Sequence, residues 1–192
     1  MVLSLRRLAL AVAALTAWVA APARGAPIQP DLGDIALRDG DAASVLLRDL
    51  LARHRFTTVV FYSESCPCFA AHLDRLQRIA AELGPRGAAV LLVDSERHAP
   101  GDVPPRSLGS GLPIWTDPGA RLARRLDVHL ATESLVFDRA GRLQYRGGID
   151  DQRKHITGGA RPYLQDALNA LLDGRQPPTA ASKALGCTLR LY

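Results

Sequence analysis

Hydrophobic positions along the chain fall into two rhythms. "FTTVVFY" (56–62) and "AAVLLVD" (88–94) are short, nearly unbroken apolar runs rich in β-branched and aromatic residues, the pattern of buried strands. Between them, Phe69, Leu73, Leu76, Ala80 and Leu83 recur at helical spacing, so a helix is predicted to about residue 83, stopped by Gly84-Pro85. Upstream, Ala43, Leu46, Leu47, Leu50 and Leu51 share one helical side, which predicts a helix over 42–54 capped by Asp41 after an irregular entry.

Residues 95–112, rich in proline and glycine, read as a surface loop. "LPIWTDPGARLARRL" then gives a short strand and a helix with Asp117 as cap and Pro118 at its first position. "SLVFDRAGRLQYRG" reads as a hairpin turning through Asp138-Arg139-Ala140-Gly141. Pro162 opens a last helix with Leu164, Leu168 and Leu171 inward, and Gly174 ends it. Helices alternating with strands before a closing hairpin predict an α/β fold, one mixed sheet flanked by helices in a single domain. There is no internal repeat.

Composition narrows the setting. A chain of 192 residues, 47% hydrophobic and 22% charged, has the make-up of one globular domain. Net charge is +5, but the arginines are scattered and aromatic residues make up only 5%, so a nucleic-acid groove is not expected. Arg6 and Arg7, an apolar run over 8–21, and Ala21-Pro22-Ala23 form a secretory signal with cleavage after Ala23. Cleavage lowers the charge to +3 and leaves no apolar stretch long enough to span a membrane. Left uncleaved, the same segment would tether the protein on the same side. A periplasmic or secreted location is expected, with divisions at residues 1–23 (signal), 24–40 (irregular), 41–174 (folded domain) and 175–192 (tail). Export to an oxidising compartment makes the three cysteines potential disulfide partners, with one thiol left over.

Two of them stand one residue apart, Cys66-Pro67-Cys68, where the first strand turns into the helix. Proline biases Cys66 to extended backbone and itself suits the first helical turn. Cys66 is therefore placed at the helix cap, beside unpaired N–H groups and the positive end of the dipole, which favour its thiolate. Along a regular helix, residues two apart point to nearly opposite sides, so Cys68 is expected to aim away from Cys66, and a bond between them would need a distorted turn. Thirteen residues separate Gly174 from Cys187. At roughly 3.3 Å each, such an arm reaches about 40 Å, enough to bring Cys187 back to Cys66 or Cys68. His72, one turn after Cys68, would complete a soft donor set with the three thiols, although a helix-edge histidine is ordinarily packing. His54, His98, His129 and His155 fall in loops or at element ends.

Strand, cysteine turn and helix, followed by strand and hairpin, resemble the thioredoxin superfamily over about 56–174. Within it, the resemblance is to the redoxin branch that includes the alkyl hydroperoxide reductase and thiol-specific antioxidant proteins. "YRGGIDD" (145–151) and the closing Gly186-Cys187 are similar to exported bacterial redoxin-like proteins. The resemblance implies catalytic roles for Cys66, Cys68 and Cys187, and substrate contacts at Ser63, Pro67, Thr132 and Glu133. The chain departs from both catalytic templates. Ser63 fits the hydroxyl position of the peroxiredoxin motif, but Val59 replaces its proline and Thr132 stands where its arginine is expected. Thr132 also stands where disulfide-handling thioredoxins place a cis-proline, and Ser65 replaces the usual tryptophan. Cys-Pro-Cys is similar to the redox motif of the mitochondrial intermembrane-space import oxidoreductase, with which nothing else is shared. Asp150 and Asp151, on a loop near the active site of redoxin-like proteins, offer a proton acceptor or a solvated turn.

The expectation is an exported thiol–disulfide oxidoreductase that needs no cofactor and acts on protein or small-molecule thiols and disulfides. A thiol-dependent peroxidase, a copper- or zinc-handling protein, and a redoxin-like binding module with a static disulfide stay open. Neither nucleic acid nor a stable membrane span is expected. The sequence assigns no oligomeric state.

Overall fold

The computed structural model describes residues 29–39, 44–97 and 111–191. The expected signal segment, Asp41 with the start of its predicted helix, and most of the 95–112 loop, His98 included, lie outside them. Seven strands form one sheet among the described residues: β1 (Ala36–Arg38), β2 (Ser44–Leu46), β3 (Phe56–Tyr62), β4 (Ala88–Asp94), β5 (Ile114–Thr116), β6 (Ser134–Asp138) and β7 (Leu143–Gly147). Their spatial order is β2-β1-β5-β4-β3-β6-β7. The central β3 runs parallel to β4 and antiparallel to β6, and β4 runs parallel to β5. From Thr57 to Tyr62 every residue of β3 is buried, so the strand is covered on both faces, as its unbroken apolar run requires.

The helices are α1 (Leu47–Leu51), α2 (Pro67–Leu83), α3 (Arg121–Arg125) and α4 (Tyr163–Leu172). Helix α2 buries Phe69, Leu76, Ile79 and Leu83, and α4 buries Leu164, Leu168 and Leu171. Both pack on the sheet and on each other. The C-terminal ends of β3 and β4 thus open on the same edge, and α2 starts there. No described helix is long and apolar enough to cross a membrane.

Three expectations are corrected. The helix predicted over 42–54 is shorter: Ser44–Leu46 is strand β2, paired with β1, and the helix begins at Leu47. The entry read as irregular thus supplies strand β1, whose Leu37 is fully buried; its hydrogen bonds to β2 override the helical spacing of Leu46. Asp117 caps its helix across a kink. Pro118–Ala120 forms a separate 3-10 turn, and the Asp117 carboxylate reaches past it to accept from the N–H groups of Leu122 and Ala123 at 2.9 and 3.0 Å.

The tail crosses the sheet's edge. Ala180 and Ser182 bond to Arg146 on β7, Thr188 pairs with Leu130, and Leu191 pairs with Glu96 just past β4. This path explains two short motifs. A Cβ on Gly147 would lie 2.2 Å from Ser182 Oγ, and one on Gly186 would lie 1.6 Å from the Ala131 carbonyl oxygen. Both glycines are contact points for the tail.

Candidate active site

Cys66 is the N-cap of α2, with extended backbone (φ −87°, ψ 107°), and Pro67 is exposed in the first turn. The Cys66 N–H donates to Ser63 O and its carbonyl accepts from Ala70 N. Cys66 is 1% exposed and Cys68 is fully buried, while Cys187 is half-buried above them. The three sulfurs lie within 4.8 Å of one another, with Cys187 Sγ 4.0 Å from Cys68 Sγ. The expected divergence of Cys66 and Cys68 is therefore corrected. The rotation of about 100° per residue applies from Pro67 onward, and the extended cap swings Cys66 back toward Cys68.

The tail is held over this turn by main-chain bonds. Ala131 N donates to Cys187 O at 2.8 Å and Leu189 N to His129 O at 2.9 Å. Further on, Arg190 N donates to Glu96 Oε1 at 3.0 Å, and Ser63 Oγ donates to Glu96 Oε2 at 2.7 Å. One buried carboxylate thus links the loop before Cys66 to the tail after Cys187. Sequence reading missed Glu96; a carboxylate directly after a strand as apolar as β4 was the available signal.

The sulfurs are electrostatically unequal. Burial opposes charge on Cys66, but its sulfur accepts hydrogen bonds from the Cys187 thiol and from the N–H groups of Phe69, Cys187 and Cys68. The balance holds its pKa below the ordinary thiol value. Cys187 moves the other way: burial, its hydrogen bond to Cys66 and the charge on Cys66 push it up to about 12. Between the two, the thiolate is favoured on Cys66 and the thiol on Cys187.

Behind Cys68 lies a buried polar knot. His72 is 2% exposed, with Nδ1 donating to the Cys68 carbonyl at 2.6 Å and Nε2 3.0 Å from Asp150 Oδ1. Arg75 and the Gln152 N–H also donate to Asp150, at 2.5 and 2.7 Å. Asp150 is thus a buried anchor, which corrects the solvated-turn reading, whereas Asp151 is exposed and accepts only from Arg161 N at its Oδ1. Both nitrogens of His72 are engaged, so it is removed from the soft donor set. Nothing in the sequence marks a pair 78 residues apart.

The expected substrate contacts are placed unevenly. The Ser63 hydroxyl is committed to Glu96, and Glu133 forms an ion pair with Arg146 at 2.7 Å. Thr132 is buried beside Gly186 with φ 72°, an outlying value for a β-branched residue, and its hydroxyl has no hydrogen-bond partner among the described residues. Its N–H donates to Phe61 O at 2.8 Å, and its peptide is trans, as are all described peptides. Of the seven expected site residues, the structure gathers Cys66, Cys68 and Cys187, sets Thr132 beside them, and engages the side chains of Ser63 and Glu133 elsewhere. A cavity of about 590 Å³ lined by Arg55, Asp138 and Arg142 lies at the opposite end of β3 and holds no cysteine.

This arrangement has relatives among solved structures. Xanthomonas campestris peroxiredoxin Q superposes with a TM-score of 0.53 at 18% identity, covering 74% of this chain and 92% of that one. A thioredoxin-like protein in its oxidised form superposes at 0.51 and 18% identity, covering 78% and 96%. The fold is that of the thioredoxin-like redoxins. An uncharacterised conserved protein from Geobacillus kaustophilus is more similar still, with a TM-score of 0.70 and 25% identity over 88% of this chain and 98% of that one. No family model and no curated protein matches the sequence. In this redoxin fold the cysteine turn opens the helix that follows the central strand, and the tail lies across it.

Proposed function

We propose that the protein is an exported thiol–disulfide oxidoreductase in which Cys66 attacks and Cys187 resolves. The observation that carries this reading is the Cys66 sulfur at a helix cap, within 4.8 Å of the Cys187 sulfur that the tail brings back to it. The Cys66 thiolate attacks one sulfur of a disulfide, a mixed disulfide forms, and the departing thiolate takes the proton of Cys187. Cys187 then attacks Cys66 Sγ and expels the second substrate thiol, leaving a Cys66–Cys187 disulfide. Two electrons have passed to the substrate, and an external dithiol restores the pair; the reverse sequence oxidises a dithiol.

Forming the mixed disulfide removes the charge on Cys66 and the hydrogen bond to it, two of the causes that raise the pKa of Cys187. Resolution is thereby switched on only after attack. With Cys66 1% exposed beneath the tail, the tail must lift before a substrate reaches it. Cys68 is the reserve partner, and its carbonyl ties the turn to His72. Thr132 stands in place of both the peroxidase arginine and the cis-proline of disulfide exchange, whereas Val59 in place of the motif proline counts against a fast peroxidase alone, so disulfide exchange is the preferred chemistry. Export rests on residues 1–23 and is tested by sequencing the N-terminus of protein from the extracytoplasmic fraction. The redox test is a titration of the mature chain with alkylation and peptide mapping at each point. A reversible Cys66–Cys187 couple is expected, and a Cys66 that never enters a reversible disulfide would end the proposal.

A further inference from the structure

Three thiols in a closed triangle can share an ion as well as electrons. We infer that the fully reduced protein binds one Cu(I) ion in trigonal thiolate coordination by Cys66, Cys68 and Cys187. The geometry is the first argument. An ion at the centre of three sulfurs, each about 2.3 Å away, sets those sulfurs about 4 Å apart. Cys187 and Cys68 are already 4.0 Å apart, and all three sulfurs fall within 4.8 Å of one another. Small side-chain rotations, without movement of α2, complete the triangle.

The donor set selects the ion. Thiolates are soft ligands and favour Cu(I), whereas Zn(II) in a protein site almost always takes four ligands. No fourth protein donor joins the triangle among the described residues. His72, the nearest candidate by sequence, has one nitrogen on the Cys68 carbonyl and the other facing Asp150. The surroundings suit the charge: three thiolates with one monovalent cation carry −2, and Cys66 caps the start of α2, at the positive end of its dipole. The burial of Cys66 and Cys68 keeps bulk water from the ion. Binding is coordination without electron transfer. The ion enters as Cu(I), the sulfurs stay reduced, and whatever protons the three thiols carry go to solvent.

The ion and the disulfide need the same sulfur electron pairs, so one excludes the other. Oxidation of Cys66 and Cys187 would leave Cys68 as the single thiol and release the metal.

The test uses the reduced, signal-cleaved chain under anaerobic conditions, with Cu(I) supplied as its complex with bicinchoninate, whose colour reports the copper it retains. One equivalent should move to the protein, with an X-ray absorption spectrum showing three sulfurs at a single distance. Cys187→Ser should weaken retention at least tenfold and reduce the shell to two sulfurs. Cys68→Ser should do the same, a check independent of the tail. Prior oxidation to the Cys66–Cys187 disulfide should abolish uptake. No transfer from bicinchoninate, equal retention by Cys187→Ser, or preferential loading by Zn(II) with a fourth ligand would each overturn the inference. Only the oxidised arm rests on the proposed Cys66–Cys187 couple; uptake by the reduced chain does not depend on the disulfide titration, so the two readings fail separately.

Discussion

The two halves of the thiol site are built differently. Cys66 and Cys68 sit where a fully buried central strand passes into a seventeen-residue helix, braced below by the His72–Asp150–Arg75 knot. Cys187 sits on a tail held by isolated bridges, main-chain bonds, the Ser182 hydroxyl on Tyr145 and Gly148, the buried Leu189 and the Glu96 carboxylate. Each such bond contributes roughly 1 kcal/mol, and ordering each residue costs about as much, so the docked tail has little margin. Under the proposed chemistry the contrast is a division of labour: a fixed half that sets the nucleophile, and a releasable half that uncovers it and then closes the reaction.

Removing the nucleophile tests the fixed half most severely. Cys66→Ser should lower disulfide exchange by about 1000-fold or more, because a serine hydroxyl does not ionise in the range where a capped thiol does. Stopped-flow assays with a small aromatic disulfide would read it, and residual exchange within tenfold of the parent would move the nucleophile to Cys187. Next comes the brace. Asp150→Ala leaves Arg75 and His72 facing each other without their shared carboxylate and should cost about 3 kcal/mol of stability. Urea unfolding measures this, and a loss below about 1 kcal/mol would mean that the knot is not what fixes the turn.

The tail should break at its closest contact. In Gly186→Val, a Cβ 1.6 Å from the Ala131 carbonyl oxygen cannot be accommodated, so the tail must lift. Alkylation of Cys66 should then speed up about tenfold as its cover is lost, with a cost of about 1–2 kcal/mol set by the marginal docking, while the mixed disulfide accumulates unresolved. Unchanged Cys66 reactivity would show that the tail is no cover at all.

The fixed half was largely legible and the releasable half was not. The apolar runs of β3 and β4 and the stripe of α2 announce their bounds because burial on both faces, or on one helical side, leaves a period in the sequence. Cys66 at a cap follows from Pro67. The convergence of Cys68 did not follow, since it depends on the extended backbone of Cys66 rather than on helical spacing. Strand β1 was invisible because three residues carry no period. Cys187 could be given a reach and two candidate partners, Cys66 and Cys68, but no docking path, since that rests on Gly147, Gly186 and Glu96 touching chain that is distant in sequence. The Asp150 anchor is likewise a long-range pair.

A smaller test concerns the seam between the halves. Thr132 holds φ at 72° against Gly186, and a β-branched residue pays for that backbone in strain. Thr132→Gly should raise stability by about 1 kcal/mol while loosening the seat of Cys187. Higher urea midpoints with slower resolution would join strain to function; a destabilised variant would show that Thr132 is held chiefly by packing.

The finest test is the pH dependence of the two thiols. Cys66, with its pKa lowered on folding, contributes stability that is complete above the unfolded thiol value of about 8.5 and is lost as pH falls through its folded value. Cys187, raised to about 12, contributes stability that is present below about 8.5 and is lost as pH climbs toward its folded value. Iodoacetamide labelling with peptide mapping should therefore give a Cys66 midpoint below 8.5 and a Cys187 midpoint well above it. In Cys66→Ser the charge and the thiolate acceptor are gone but the burial stays, so the Cys187 midpoint should fall and yet remain above the ordinary value. A Cys187 midpoint that ignores this substitution would mean that the halves titrate independently. Resolution would then need some trigger other than the loss of charge on Cys66.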